Sequence, residues 1–250
     1  MKDKYLDRTI GLIGKDNYEI IKDKKIAVFG LGGVGGTALE AIARLGFSHL
    51  YIFDFDVVAD SNLNRQILYK EKDIGKPKVE CAKNHLLEID DSLIVKEYKI
   101  KVDENIYNIL KELEIDFVVD AIDDVNGKKE LAKYAEKNNI PIVVSLGMAN
   151  RFNPTKVEIK RLDKTTMDPL ARKVRYEYKQ AGIETKNIYA VASNEEAKKD
   201  GNKLNSIITV PSSAGLAIAY FVLSYFVNNK EGIWFKRMGD KQYEKYLWDC

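Results

Sequence analysis

Residues 24–35 of the chain read KKIAVFGLGGVG, and this stretch decides the fold. Its first half is a short apolar run that ends at a glycine, as buried β-strands often do. Residues 34–45 then show an apolar repeat of helical period. The stretch therefore predicts a strand, a tight turn and a helix. The turn matches the pattern G-x-G-x-x-G, which brings backbone amides close to a bound phosphate, through Gly30, Gly32, Gly33 and Gly35.

The alternation of strands and helices continues to residue 145. Strand-like apolar runs cover residues 50–53, 93–98, 116–119 and 141–145, and helical repeats cover 78–89 and 125–137. Such alternation is typical of βαβ units, in which helices cover both faces of a parallel sheet. We therefore expect the α/β class, with a Rossmann-like, doubly wound and mostly parallel sheet.

The pattern changes after Gly147. Residues 156–159 predict a lone strand, 169–180 a basic helix and 188–192 another strand. Residues 193–206 are polar and aperiodic, which is typical of a mobile loop near a site. We expect one domain over residues 1–250, made of a nucleotide-binding core (1–147), an antiparallel and helical substrate-binding extension (148–227) and an unassigned tail (228–250).

The composition is that of an ordinary globular protein. With 45% hydrophobic residues in a chain of 250, a large core can be buried, which excludes wholesale disorder. Forty Lys and Arg residues against 38 Asp and Glu give a net charge of +2, which excludes a uniformly basic nucleic-acid-binding protein. Any basic surface must therefore be local.

The two cysteines and the apolar segments indicate the compartment. Cys81 and Cys250 are too few for a disulfide framework and form no Cys-x-x-Cys zinc pair. Residues 1–5 contain no apolar leader, so we expect a cytoplasmic protein. The apolar run over 212–227 is shorter than the roughly 20 residues that span a bilayer, and it predicts a buried or dimer-interface helix, with a membrane-docking helix as the alternative interpretation.

Charged residues after the second predicted strand indicate the nucleotide. Asp54 lies where an acidic residue takes ribose hydroxyls, which leaves NAD and ATP both open. Asn62, Arg65 and Lys78 follow, and they place an amide and two cations beyond that strand. A triphosphate needs such cations, whereas hydride transfer does not. ATP is therefore favoured.

Carboxylates also end the fourth predicted strand, where residues 120–124 read DAIDD. Carboxylate oxygens are the hard ligands that Mg²⁺ needs when it bridges phosphates. Asp124 has a second interpretation, as the cap of the next helix.

These motifs together resemble those of the ubiquitin-activating-like adenylyltransferases, the superfamily of the molybdopterin and thiamine adenylyltransferases, which transfer AMP from ATP to a carboxylate. The matching motifs within residues 8–147 are G-x-G-G-x-G, D-F-D, S-N-x-x-R-Q, G-x-P-K and D-A-x-D. The resemblance implies ATP and Mg²⁺ as cofactors, with Asp54 and Asp56 in the nucleotide site and Asp123 on the metal. It also implies that Asn62, Arg65 and Lys78 face the phosphates.

The resemblance extends to Arg8, which lies where superfamily members have an arginine that reaches the ATP of a partner subunit. A homodimer and a catalytic role for Arg8 are thus implied. The usual Arg-Gln pair is Arg8-Thr9 here, and a plain surface salt bridge is the other interpretation. The chain lacks the paired zinc cysteines and the cysteine nucleophile of members that activate sulfur-carrier proteins, and we expect Cys81 in the core.

Motifs beyond residue 150 are similar to the branch of tRNA threonylcarbamoyladenosine dehydratases. They are N-P-T at 153–155, D-P-L-A-R-K-V-R at 168–175, V-A-S-N-E at 191–195 and V-P-S-S-A-G-L at 210–216. This similarity implies an ATP-dependent cyclisation of a threonylcarbamoyl side chain on tRNA, through a carboxylate–AMP intermediate. A sulfur-transfer protein is left open as a further partner.

Local charge agrees with an RNA partner. Residues 151–179 contain nine Lys or Arg against four Asp or Glu. We expect the cations of the basic helix, Arg172, Lys173, Arg175 and Lys179, to contact tRNA phosphates. A merely solvated helix face is the alternative interpretation.

The sequence leaves three other hypotheses: an adenylyltransferase for the Gly-Gly tail of a ubiquitin-like sulfur carrier, a nucleotide-binding scaffold without activity, and an NAD-dependent dehydrogenase. The missing zinc cysteines disfavour the first. The joint presence of Arg65, Lys78 and Asp123 disfavours the second. The third lacks a catalytic His, Tyr or Lys arrangement.

Overall fold

The computed structural model of the chain describes residues 5–198, 201 and 203–227. Its strands are β1 (Lys25–Phe29), β2 (His49–Phe53), β3 (Ile94–Tyr98), β4 (Phe117–Asp120), β5 (Ile142–Ser145), β6 (Val157–Arg161) and β7 (Tyr189–Ser193). They form one sheet in the order β3-β2-β1-β4-β5-β7-β6. Neighbouring strands are parallel except β6, which is antiparallel to β7. The predicted α/β class with a mostly parallel sheet is confirmed.

Helices cover both faces of the sheet, as expected for a parallel sheet. They are α1 (Asp7–Ile13), α2 (Lys15–Ile21), α3 (Gly33–Arg44), α4 (Lys78–Ile89), α5 (Ile106–Leu113), α6 (Val125–Lys137), α7 (Pro169–Gln180) and α8 (Thr209–Val227). Side chains of β1 alternate between two cores, with Ile26 and Val28 in one and Ala27 and Phe29 in the other. Both sets are fully buried, which explains why β1 reads as a continuous apolar run.

The register of the central strands brings three chain segments together at one edge of the sheet. Phe29 is the partner of Phe53 on one side and of Asp120 on the other. The chain therefore leaves β1, β2 and β4 at neighbouring points, where Gly30 N donates to Phe53 O at 2.8 Å and Ala121 N donates to Phe29 O at 2.8 Å. The strand order reverses between β1 and β4, and ligands bind at such a switch point in open α/β sheets.

The C-terminal helix α8 packs against α3. A Cβ atom on Gly215 would lie 2.6 Å from both Val34 O and Thr37 Cβ, so the two helices approach at backbone contact. Val210, Ala214, Ile218 and Val222 repeat every four residues and are fully buried. With 19 residues, α8 is longer than the apolar run at 212–227, and length and composition alone would let it cross a membrane. Its contacts show that one face of α8 is buried in the core, whereas Leu216 and Tyr220 on the helix are exposed.

The structure also corrects parts of the sequence reading. The strand predicted at 156–159 is not alone, because β6 pairs with β7 along its whole length. Helices α1, α2 and α5 were not predicted, and they are only seven or eight residues long, too short for a clear periodic signal.

The tail at 228–250, with Cys250, and residues 199, 200 and 202 of the polar loop lie outside the described residues. Cys81 is buried in the core, as expected.

Candidate active site

A cavity of about 1360 Å³ opens at the carboxyl ends of β1, β2, β4 and β5. It contains most of the residues that the sequence singled out, in two groups. The nucleotide group consists of Gly30, Gly32, Gly33, Asp54, Asp56, Asn62, Arg65, Lys78 and Asp123. The second group consists of Arg172 and Arg175 on α7. Gly35, Arg8, Lys173 and Lys179 do not line this cavity.

The glycine turn between β1 and α3 depends on residues without side chains. Gly30 has a φ of +83°, and a Cβ atom there would lie 2.7 Å from Ala121 O. A Cβ atom on Gly35 would lie 1.8 Å from Gly30 O, so Gly35 shapes the turn from outside the cavity. The turn places the N-terminus of α3, with its free amides, against the cavity.

Asp54 fixes this turn from the neighbouring strand. Its side chain is buried, with Oδ2 accepting from Leu31 N at 2.7 Å and Oδ1 accepting from Asp56 N at 2.9 Å. A carboxylate has about four acceptor positions, so two remain for hydroxyl donors. The geometry therefore allows the ribose contact that the sequence predicts for Asp54.

The cations beyond β2 are held by local contacts. Lys78 is only 5% exposed, and its Nζ lies 2.9 Å from Asp56 Oδ2. Arg65 Nη1 donates to Ser61 O and to Asn64 Oδ1, both at 2.8 Å. Asn62 Oδ1 accepts from Ala59 N at 3.0 Å. These contacts fix an ammonium and a guanidinium in the wall of the cavity before any ligand binds.

The two carboxylates after β4 have different surroundings. Asp124 Oδ2 accepts from Gly127 N at 2.7 Å, which confirms the alternative interpretation of this residue as the cap of α6. Asp123 is exposed in the cavity, and no residue that the structure describes forms a hydrogen bond or ion pair with its carboxylate. Within the described residues, no group of three or more acidic, His or Cys side chains could hold a metal on its own. One free carboxylate suits Mg²⁺ that arrives bound to phosphates, since such Mg²⁺ takes one or two carboxylates from the protein.

The far end of the cavity includes residues that sequence reasoning missed. Arg151 is 4% exposed, and its guanidinium donates to Ser193 O at 2.7 Å, to Met167 O at 3.3 Å and to Glu195 O. Burial lowers the pKa of Arg151, and nearby Asp168 and Glu195 oppose that shift. The contacts with Ser193 and Glu195 join residues more than 40 positions apart in the chain, which leaves no local pattern to detect.

Asn150 connects the same end of the cavity to the polar loop. Asn150 N donates to Asn205 O at 2.7 Å, and Asn205 N donates to Asn150 Oδ1 at 2.6 Å. Lys198 N donates to Asn150 O at 2.7 Å. The described part of the loop lines the cavity through residues 196–198, 201, 204 and 206, so the expectation that it lies near the site is confirmed.

The four cations predicted on the basic helix α7 divide between the cavity and the outer surface. Asp168 caps the helix by accepting from Leu170 N at 2.9 Å, and it also accepts from Gly147 N at 2.8 Å. Arg172 is exposed at the cavity, whereas Arg175 is half-buried and donates to Thr165 O at 2.8 Å. Lys173 and Lys179 are exposed on the helix outside the cavity. Two of the four cations therefore face the same space as the glycine turn.

Known proteins resemble this chain in sequence and structure over most of its length. The chain is 33% identical over 247 residues to the tRNA threonylcarbamoyladenosine dehydratase of Bacillus subtilis (strain 168), covering 92% of this chain and 96% of the relative. The crystal structure of the E. coli tRNA N6-threonylcarbamoyladenosine dehydratase, TcdA, in complex with ATP superposes with a TM-score of 0.85 at 27% identity, covering 91% of this chain and 95% of TcdA. The molybdopterin-synthase adenylyltransferase of Escherichia coli (strain K12) is 33% identical over 128 residues, about half of each chain. The resemblance seen in the motifs is confirmed, and because the ThiF family model matches residues 6–228, the chain belongs to the ThiF family.

Proposed function

We propose that the protein uses ATP to dehydrate, and so cyclise, the threonylcarbamoyl side chain of an adenosine in tRNA. The observation that supports this most directly is the continuity of the cavity. One space joins the glycine turn, Lys78 and Asp123 to Arg172 and Arg175 on α7. A nucleotide at one end and an RNA side chain at the other can therefore meet inside it. The relatives similar over most of the chain have the same activity in their names.

The chemistry needs orientation and charge neutralisation more than a protein nucleophile. The substrate carboxylate, an anion at neutral pH, attacks the α-phosphorus of ATP, and pyrophosphate leaves. The neighbouring ureido group then attacks the activated carbonyl and loses a proton to solvent, the ring closes, and AMP leaves with the former carboxylate oxygen. Arg65 and Lys78 line the cavity and would neutralise the phosphate charge that develops in the first step. The buried Cys81 has no part in this scheme.

Asp123 is the residue that would hold Mg²⁺, because its carboxylate is exposed in the cavity and has no protein partner among the described residues. When bound, the ion would add positive charge beside the phosphates. Asp54 would accept from ribose hydroxyls through its remaining acceptor positions. Asn62 and the amides of the glycine turn would donate to phosphate oxygens.

The site would be completed by a second copy of the chain. Arg8 is exposed on α1 and does not line the cavity of its own subunit. A homodimer in which Arg8 enters the partner's cavity would give this arginine the phosphate contact implied by the motif resemblance. The exposed Leu216 and Tyr220 on α8 provide apolar surface that such an interface could cover.

Residues 148–227 would form the substrate-binding extension of the nucleotide-binding core. Within it, Arg172, Lys173, Arg175 and Lys179 of α7 would bind tRNA phosphates, with Arg172 and Arg175 nearest to the reaction.

The experiment that tests the substrate class compares AMP release from ATP in the presence of bulk tRNA and of a small carrier protein ending in Gly-Gly. We expect tRNA to stimulate AMP release and the carrier protein to have no effect. Stimulation of AMP release by the carrier protein alone, or adenylylation of that protein, would replace the proposal with the sulfur-carrier hypothesis. The similarity to a molybdopterin-synthase adenylyltransferase over about half of the chain makes this the main alternative.

A further inference from the structure

Two opposite charges are fully buried directly behind the cavity. Asp120 is the last residue of β4, and Lys128 lies in the second turn of α6; both are 0% exposed. Lys128 Nζ lies 3.0 Å from Asp120 Oδ1. Neither side chain lines the cavity, so the pair has no direct access to a ligand there.

The Lys128 ammonium also connects two strands. Besides Asp120, it donates to Ser145 O at 2.8 Å, and Ser145 is the last residue of β5. Asp120 Oδ1 in turn accepts from Ile122 N at 3.3 Å. One ammonium and one carboxylate oxygen therefore join the ends of β4 and β5 to α6.

The segments that leave these strand ends form one side of the cavity. Residues 121–124, including Asp123, follow β4, and residues 146–151 follow β5; all of them line the cavity. The glycine turn packs against the first segment, because Gly30 lies against Ala121 O. A displacement of the β4 end would thus move Asp123 and the glycine turn together.

The pair is not arranged for maximal stability. Asp120 Oδ2 is buried and has no hydrogen-bond partner among the described residues. Burial raises the pKa of Asp120, and the adjacent Lys128 opposes this shift. Buried ion pairs can often be replaced by apolar residues without loss of stability, so stability alone does not account for this imperfect pair.

We propose that Lys128 and Asp120 act as positioning residues, which hold the 121–124 and 146–151 segments in the geometry that ATP binding and turnover require. The pair acts through Asp123 and the glycine turn and does not touch the substrate. In assigning a role to Asp123, this inference rests on the proposed function.

Two variants separate positioning from stability. The double variant Asp120→Leu with Lys128→Met removes both charges and the side-chain hydrogen bonds to Ser145 O and Ile122 N. We expect its thermal unfolding midpoint to stay near or above that of the wild type. Asp120→Asn retains an acceptor for Lys128 and Ile122 but leaves the lysine charge buried and unpaired, so we expect a lower midpoint. If the pair positions the cavity segments, ATP affinity should fall at least tenfold in the stable double variant and stay within about threefold of wild type in Asp120→Asn.

Hydrogen–deuterium exchange gives a readout that does not depend on activity. We expect amides of 121–124 and 146–148 to exchange faster in the double variant, with β1 amides unchanged. Wild-type ATP affinity and exchange in the double variant, or affinities that simply follow the unfolding midpoints, would overturn the proposal. If one variant does not fold, the ATP affinity expected for the other variant is still tested. A wild-type enzyme that releases no AMP with tRNA would refute the proposed function instead, and the ATP-binding and exchange results would still test the positioning role.

Discussion

Lys78 Nζ lies 2.9 Å from Asp56 Oδ2, and the two residues join the start of α4 to the chain just beyond β2. The lysine side chain is only 7% exposed, whereas that of Asp56 is 47% exposed at the cavity. The aspartate therefore orients an ammonium that has little contact with water. A cation fixed in this way needs little reorganisation when charge develops on a phosphate.

Lys78→Met should lower kcat for AMP release about 100-fold, because it removes one preorganised cation. Asp56→Asn should have a smaller effect, since the amide oxygen still accepts from Lys78. Steady-state kinetics with ATP as the varied substrate, together with circular dichroism to verify folding, measures both effects. Equal losses in the two variants would show that Asp56 contacts the nucleotide in its own right and does not merely orient Lys78.

The shared-site prediction concerns Arg8 and Asp123, which should be supplied to one active site by different subunits. Asp123→Ala should abolish turnover and leave the fold intact, because the side chain is exposed and has no protein partner among the described residues. Arg8→Ala should also be inactive. Mixed and reassociated subunits should recover about a quarter of wild-type activity, since half of the dimers are then mixed and each has one intact site. A monomer in sedimentation, or no recovery in verified mixed dimers, would contradict the prediction.

The basic helix should account for a large part of the affinity for tRNA. Replacing Arg172, Arg175 and Lys179 by Ala should make the negative slope of log affinity against log salt shallower by about two to three, because each lost phosphate contact removes a share of counterion release. ATP affinity should not change. A matched control replaces three exposed lysines outside the cavity, Lys72, Lys111 and Lys137. Equal effects of the two triple variants on the salt slope would mean that tRNA responds to overall charge and not to α7.

A pH-dependent contribution to stability is expected from Glu40. Its carboxylate lies 2.9 Å from His85 Nε2 and accepts from Arg44 Nε at 2.7 Å. The hydrogen bond with His85 lowers the pKa of Glu40, so ionisation of this group stabilises the folded state. The stabilisation is present above the ordinary glutamate pKa and is lost as pH falls through the lowered value.

Glu40→Gln should therefore lower the thermal unfolding midpoint at neutral pH, and the deficit should shrink as the pH falls below about 4. The exposed Glu104→Gln serves as the control, and its midpoint should follow the wild type at every pH. A deficit of constant size across the pH range would show that Glu40 acts through packing and not through its charge.

The sequence predicted those parts of the fold whose contacts repeat at short intervals. β1 and α3 follow from a buried run, a glycine turn and a helical period, because burial on both faces of a parallel sheet imposes apolar residues throughout. The ends of α7 were predicted as observed, since Asp168 and Pro169 start the helix by capping and by fixed φ.

Other parts could not be predicted, because their contacts join different elements and follow no helix or strand period. Arg151 appears in the sequence as one more surface cation, and only the fold shows its buried bonds to Ser193 and Glu195. Lys128 is followed by a second lysine on an apparently charged helix, yet it is fully buried against Asp120. The partners of Arg151 lie more than 40 residues away, and Asp120 lies eight residues before Lys128 in a different element. Neither spacing follows a helix or strand period, so only the fold shows these contacts.

The measurement that tests the central claim most directly follows a single tRNA preparation containing threonylcarbamoyladenosine through incubation with the protein, ATP and Mg²⁺. We predict that the modified nucleoside becomes lighter by one water and that AMP accumulates in equal amount, with both changes absent in Asp123→Ala. An unchanged nucleoside mass in the presence of verified ATP binding, or AMP formation that does not depend on tRNA, would contradict the account.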